Sequence, residues 1–125
     1  MLGNRHFTAM LPVTDVARAR RFYEQQLGLH ATRTLPNGDV LFQGEGGEFE
    51  LYPRESPPKS DHTAMTWEVP DVRAEMNDLR ARGVRFEDYD YPALKTKDGL
   101  LEKDGETCAW FKDPDGNILC IHHQA

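Results

Sequence analysis

Cysteines, basic residues and long apolar runs are scarce or absent in this chain, and each scarcity excludes a class of protein. Two cysteines among 125 residues exclude a disulfide-rich scaffold. Basic residues are outnumbered, 15 against 21 acidic ones, and the net charge of −6 argues against a nucleic-acid partner. No apolar run approaches the length of a membrane span, and the N-terminus lacks the apolar core of a signal peptide. We therefore expect an acidic cytoplasmic protein, without membrane contact, of a length suited to one domain.

The two cysteines flank a turn that we place near Asp115 and Gly116. A turn centred there pairs Cys120 with about Phe111 rather than with Cys108. We therefore expect two free thiols, which fits a reducing compartment.

The second half of the chain repeats the first. When residues 6–16 are aligned with residues 62–72, an offset of 56 residues, four of the eleven positions are identical. Such a repeat indicates a duplicated structural unit. The identical pairs are His6/His62, Val13/Val69, Asp15/Asp71 and Val16/Val72.

The first copy predicts a strand, a capped helix and three further strands. Thr14 or Asp15 is the expected cap, and Gly28 the expected stop. The apolar residues between them recur at helical spacing. The predicted strands are 6–13, about 30–34, 40–44 and 48–53.

The second copy follows the same order after a linker at 57–60. Asp71 is the expected helix cap, and Gly83 the expected stop. A long irregular stretch is predicted from about 88 to 105, and loops of this length are often functional. The predicted strands are 62–69, 84–88, 107–112 and 118–123.

Together the two copies predict an α+β fold. We expect two βαβββ modules, about 5–55 and about 62–123, whose curved mixed sheets enclose one central cavity. Both modules would belong to a single domain over 1–125.

The doubled βαβββ order, with Phe-Lys-Asp-Pro-Asp-Gly-Asn at 111–117 before the last strand, resembles the vicinal oxygen chelate superfamily. That superfamily holds glyoxalases, extradiol dioxygenases, thiol transferases acting on fosfomycin, and bleomycin resistance proteins. The stretch from 62 to 111 looks most like small, uncharacterised glyoxalase-like proteins. The resemblance covers nearly the whole chain, and it implies a homodimer that binds a small molecule.

The resemblance also implies four metal-ligand positions, on the first and last strands of each copy. Those positions hold Thr8 and Glu50 in the first copy, and Ala64 and Cys120 in the second. A divalent metal needs three or more converging oxygen or nitrogen ligands at about 2 Å. Glu50 alone cannot supply them, so we expect a degenerate site with no metal or other cofactor.

A displaced metal site is the alternative. His6 and His62 lie two residues before the first-strand positions, and His122 lies two residues after Cys120, all on the same strand faces. These three histidines, with Tyr52 nearby, could bind a metal further along the cavity. Otherwise they are solvated or hydrogen-bonded histidines at strand ends.

Glu50 and Cys120 each allow two interpretations. Glu50 is a weak candidate for a general base or a partner of a cationic ligand, and otherwise an ion pair with Arg5 or Arg33. Cys120 is expected to be a small buried apolar residue rather than a nucleophile.

Aromatic residues point to a ligand of matching chemistry. Tyr89, Tyr91 and the leucines that follow have the composition of a lid over a cavity, and pockets for flat molecules are rich in aromatics. Alternatively, this loop packs against a second subunit. The candidate ligand-binding residues are Thr8, Met10, Glu50, Tyr52, His62, Ala64, Tyr89, Tyr91, Trp110, Cys120 and His122.

Two functions remain open. The favoured one is a metal-free protein that binds a small drug or metabolite, which we expect to be aromatic, with a role in resistance or sequestration. The alternative is a glyoxalase- or dioxygenase-like enzyme with a non-standard ligand set.

Overall fold

Two four-stranded sheets, each with one helix, account for most of the structure. The computed structural model describes residues 1–125. It divides into two units, Met1–Pro58 and Lys59–Ala125, and the division falls within the predicted linker. No helix is long and apolar enough to cross a membrane.

The first unit follows the predicted order. Its sheet has the order β1-β4-β3-β2, with β1 parallel to β4 and the other pairs antiparallel. Helix α1 begins after Asp15, whose side chain accepts a hydrogen bond from the Arg18 amide. It continues as a π-helical turn, Phe22–Gln26. The elements are β1 (Ala9–Val13), α1 (Val16–Arg21), β2 (Ala31–Thr34), β3 (Val40–Gly44) and β4 (Gly47–Pro53).

The second unit repeats this arrangement with additions. Its main sheet has the order β5-β10-β9-β8, with β5 parallel to β10, and a separate hairpin pairs β6 with β7. Asp71 caps α2 by accepting from the Ala74 amide. The elements are β5 (Thr63–Glu68), α2 (Val72–Ala81), β6 (Asp90–Tyr91), β7 (Leu94–Lys95), β8 (Leu101–Lys103), β9 (Glu106–Lys112) and β10 (Ile118–Gln124).

The repeat extends to the pairing of the strands. Met10 pairs with Glu50 in the first unit, and Thr66, 56 residues after Met10, pairs with Cys120 in the second. Glu50 and Cys120 therefore occupy equivalent places in the two sheets.

Each unit has its own core on one face of its sheet. In the first, Tyr23 is fully buried, with its ring 5.3 Å from that of Phe49. In the second, Phe111 packs edge-on against Phe86, with ring centroids 5.6 Å apart. The strand residues of these cores alternate with less buried ones, so each sheet has a second face that its helix does not cover.

Two local predictions were wrong. Residues 84–88 do not form a strand, and only an isolated bridge joins Phe86 to Phe111. The stretch from 88 to 105 is only partly irregular, because it contains the short strands β6, β7 and β8. The Asp88 carboxylate organises it by accepting from the Thr96 hydroxyl and the Gly99 amide, both at 2.7 Å. Hydrophobic periodicity does not report such a contact.

The predicted strand partner of Cys120 was wrong by one residue. Cys120 pairs with Trp110, not with Phe111. The Asp113 carboxylate accepts from the amides of Asp115 and Asn117, at 3.0 and 2.9 Å, and so centres the loop on Asp115. Because side chains alternate along a strand, this shift decides which residues share a face.

Candidate functional site

The uncovered face of the first sheet carries four of the predicted ligand-binding residues. Along β1 and β4 the buried positions alternate with Met10, Glu50 and Tyr52, and Thr8 continues the same alternation just before β1. The structure therefore brings these four residues together on one surface.

Glu50 forms a carboxyl pair on this surface. Its hydrogen bond to Asp39 raises the pKa of Glu50 above the usual range, burial and the charge of Asp39 raise it further, and Arg33 lowers it. Asp39 is itself buried. The principal partner of Glu50 is therefore a second carboxyl group rather than the predicted arginine, and the pair can hold and release a proton.

Glu48 is a functional candidate that the sequence reasoning missed. Its carboxylate accepts from the Thr8 hydroxyl and from the Gln43 amide, and His6 Nε2 lies beside it. The bond from Thr8, followed by that from Gln43, lowers the pKa of Glu48. Glu48 and Glu50 lie two residues apart in β4 and so share a face of the sheet. This spacing was the signal in the sequence that could have revealed Glu48.

A cavity of about 660 Å³ adjoins Glu48 within the first unit. Its lining includes His6 and the exposed ring of Phe7, together with the turn between β3 and β4. Glu48 is thus the anionic group of an open recess.

The uncovered face of the second sheet carries another part of the predicted set. By alternation it includes Ala64, Trp110, Cys120 and His122. His122 Nδ1 lies 2.8 Å from the Thr66 hydroxyl, which holds the imidazole against this face. His62 is exposed and precedes β5, with its Nδ1 3.2 Å from the Thr63 carbonyl oxygen, so it is not part of the strand.

Three aromatic side chains form a cluster on the second unit. Tyr89 meets Trp110 edge-on at 5.7 Å and stacks with Tyr91 at 6.1 Å, measured between ring centroids. Trp110 Nε1 donates to the Thr63 hydroxyl at 3.1 Å, which orients the indole. Burial, followed by the charge of Glu87, raises the pKa of Tyr89, so its hydroxyl stays protonated and able to donate. We call Tyr89, Tyr91 and Trp110 the aromatic cluster.

Trp67 is not part of this cluster. It stacks with Phe111 on the helix-covered face, with ring centroids 6.4 Å apart. Trp110 is therefore the tryptophan placed to report a ligand on the uncovered face.

The two cysteines are free and share the uncovered face, as the corrected register requires. Burial raises the pKa of Cys108 to about 12 and also raises that of Cys120. Both thiols are consequently protonated at neutral pH and are poor nucleophiles. This agrees with the expectation that Cys120 packs as an apolar residue.

The model of the Glyoxalase/Bleomycin resistance protein/Dioxygenase superfamily matches residues 5–121. The chain belongs to this superfamily. The predicted resemblance and the predicted fold class are thereby confirmed. None of the curated proteins compared with the chain matches it.

Solved structures agree with this fold. The fosfomycin resistance protein FosX from Listeria monocytogenes superposes with a TM-score of 0.75 at 13% identity, covering 98% of this chain and 94% of that one. Lactoylglutathione lyase from Agrobacterium tumefaciens gives 0.68 at 18% identity, covering 96% and 93%. An integron cassette protein from the Halifax Harbour sewage outfall metagenome gives 0.72 at 16% identity, covering 96% and 98%. At such identities the likeness shows the fold alone.

The residues at the superfamily's metal positions do not fit a divalent metal. Ala64 has no donor atom, Thr8 directs its hydroxyl to Glu48, and Cys120 is a buried thiol. Glu50 is the remaining carboxyl group, and it is bonded to Asp39.

The three histidines of the alternative metal site each have a different local environment. No three His, Cys, Asp or Glu side chains lie close enough to hold a metal ion. His6 is bound to Glu48, His122 contacts Thr66, and His62 lies beside the adjacent carbonyl. Each histidine therefore has a polar contact within its own unit.

Proposed function

We propose that this chain is a metal-free binding protein for a small organic molecule, which it holds through an aromatic group on the aromatic cluster. The observation that carries the proposal is the cluster itself. Trp110 lies on the sheet face that the helix leaves uncovered, the two tyrosine rings pack next to it, and Tyr91 is 58% exposed.

Rigid aromatic rings suit this task for a physical reason. They offer a large contact area at little cost in conformational entropy, and they hold flat ligands by offset or edge-to-face packing. Tyr89 is already fixed against Trp110, so binding need not order it. The Tyr89 hydroxyl supplies a polar anchor beside the apolar surface.

The donor set at the metal positions is consistent with binding rather than metal catalysis. A role in resistance or sequestration would follow from tight binding alone, and a fosfomycin resistance protein is among the structures that share this fold.

Thermal shift with a panel of aromatic antibiotics and metabolites tests the proposal. A ligand that binds only the folded state must raise the melting temperature. We expect at least one hit that also changes the Trp110 fluorescence. Tyr91→Ala should weaken that hit about tenfold through lost stacking.

Phe7→Ala is the matched control, because it removes an exposed aromatic ring from the first unit. It should leave the affinity unchanged. Hits whose affinity survives both Tyr91→Ala and Trp110→Ala would show that the aromatic cluster is not the site.

An enzyme is the second candidate, and the Glu50–Asp39 pair favours it. A carboxyl group with a raised pKa can serve as a general acid or base. If no panel member binds and added metal produces turnover of a hemithioacetal or a catechol, the enzyme replaces the binding protein.

A further inference from the structure

A basic groove lies on the helix side of the second unit, away from the uncovered sheet face. It is a cavity of about 650 Å³ between α2 and the loop through β7. This volume is in the range of small-molecule sites. We call it the basic groove; its lining is Arg73, Met76, Asn77, Arg80, Lys95, Thr96, Lys97, Asp98, Leu100 and Glu102.

The charge of the groove is opposite to that of the chain. Four cationic side chains and two carboxylates line it, whereas the whole chain has a net charge of −6. Arg73 pairs with Glu102, but the ammonium groups of Lys95 and Lys97 form no ion pair. The ammonium groups of both lysines are therefore available to bind an added anion.

Arg80 is held in a fixed orientation within the groove. Its guanidinium lies 5.3 Å from the centroid of the Phe86 ring, and Nη2 donates to the Asp98 carbonyl oxygen at 2.9 Å. A guanidinium has five N–H donors, and this contact uses one of them. The rest form a planar donor set that matches an oxyanion.

The loop opposite α2 is held in one conformation by hydrogen bonds. Asp88 binds both Thr96 and Gly99, the Thr96 amide donates to the Tyr89 carbonyl, and the backbones of Lys97 and Leu100 bond to each other. The lysines thus project from a fixed backbone, which reduces the entropic cost of binding.

We infer that the basic groove binds a small molecule through a phosphate or carboxylate group, placed between Arg80 and the two lysines. The site is independent of the proposed aromatic ligand. The buried side chain of Met76 and the half-buried Leu100 supply apolar contact beside the anion.

Titration with inorganic pyrophosphate and, separately, with citrate tests this inference and distinguishes the two anion sources. Calorimetry should show saturable binding of at least one that weakens as salt rises. Backbone amide shifts should concentrate at residues 95–98 and in α2 near Arg80. Binding of neither anion, or shifts concentrated outside the groove, would overturn the inference.

The variant Lys95→Gln/Lys97→Gln should weaken binding about tenfold. Lys59→Gln/Arg85→Gln removes the same charge from exposed positions outside the groove and should bind like the wild type. Equal weakening by the two double variants would mean that the anion responds to the overall charge of the chain and that the groove is not a binding site. Asn77→Glu adds a carboxylate to the lining and should abolish binding, and retained affinity there would also overturn the inference.

Discussion

A hydrogen bond between two carboxyl groups, Glu50 and Asp39, sets the chemistry of the first sheet's uncovered face. A hydrogen bond between two carboxyl groups needs one proton, so the pair resists losing the proton that the two groups share. The folded chain therefore holds a proton at Glu50 more tightly than the unfolded chain does.

This linkage predicts a pH dependence of stability. The free energy of unfolding should fall as pH rises from the ordinary Glu50 value of 4.5 through its raised pKa. Glu50→Gln should remove that part of the decline, because an amide donates to Asp39 at every pH. Urea unfolding across pH measures it.

Glu45→Gln is the matched control, since Glu45 is exposed in the turn between β3 and β4. It should keep the wild-type pH dependence. A Glu50 carboxyl carbon that titrates by NMR at or below its ordinary value would refute the carboxyl pair.

Among the elements, the segment between α2 and β8 departs most from the simple repeat. Its conformation depends on Gly99, which has a φ of 81° and is nearly enclosed. A Cβ there would lie 2.9 Å from the Phe86 Cβ and 3.2 Å from the Met76 Cε.

Gly99→Ala should therefore lower the free energy of unfolding more than backbone strain alone, which is about 1–3 kcal/mol. Gly105→Ala separates the two effects, because Gly105 has a φ of 78° and open space around it. Chemical denaturation of both variants measures the difference. Equal losses of unfolding free energy in the two variants would mean that Phe86 moves away from the added methyl group at no cost.

For the whole molecule, superfamily membership and fold are established, while several properties stay predictions. These are the single domain, the homodimer, the cytoplasmic location and the cavity enclosed by both sheets. The absence of a metal is also a prediction, based on the donors at the four positions.

Protein purified without a chelator should contain no near-stoichiometric Zn, Ni, Mn or Fe. The reason is that Thr8, Ala64 and Cys120 offer no imidazole or carboxylate. Elemental analysis decides the matter. Stoichiometric metal that disappears in Glu50→Ala would contradict the prediction and favour the enzyme.

The sequence by itself determined the repeated modules, both helix caps and most strands of the two sheets. Caps, glycine stops and alternation are local signals that a few neighbouring residues define. The same alternation placed Thr8, Met10, Glu50 and Tyr52 on one face.

Only the tertiary structure decided the partners of these residues. Asp39 beside Glu50, Thr8 on Glu48 and Asp88 on Gly99 are contacts between residues 11 to 40 positions apart, and they have no periodic signature in the sequence. One side chain, that of Asp113, centred the last turn and so put both cysteines on one face. Such contacts depend on how segments distant in the sequence pack against one another, and the spacing of hydrophobic residues does not encode that packing.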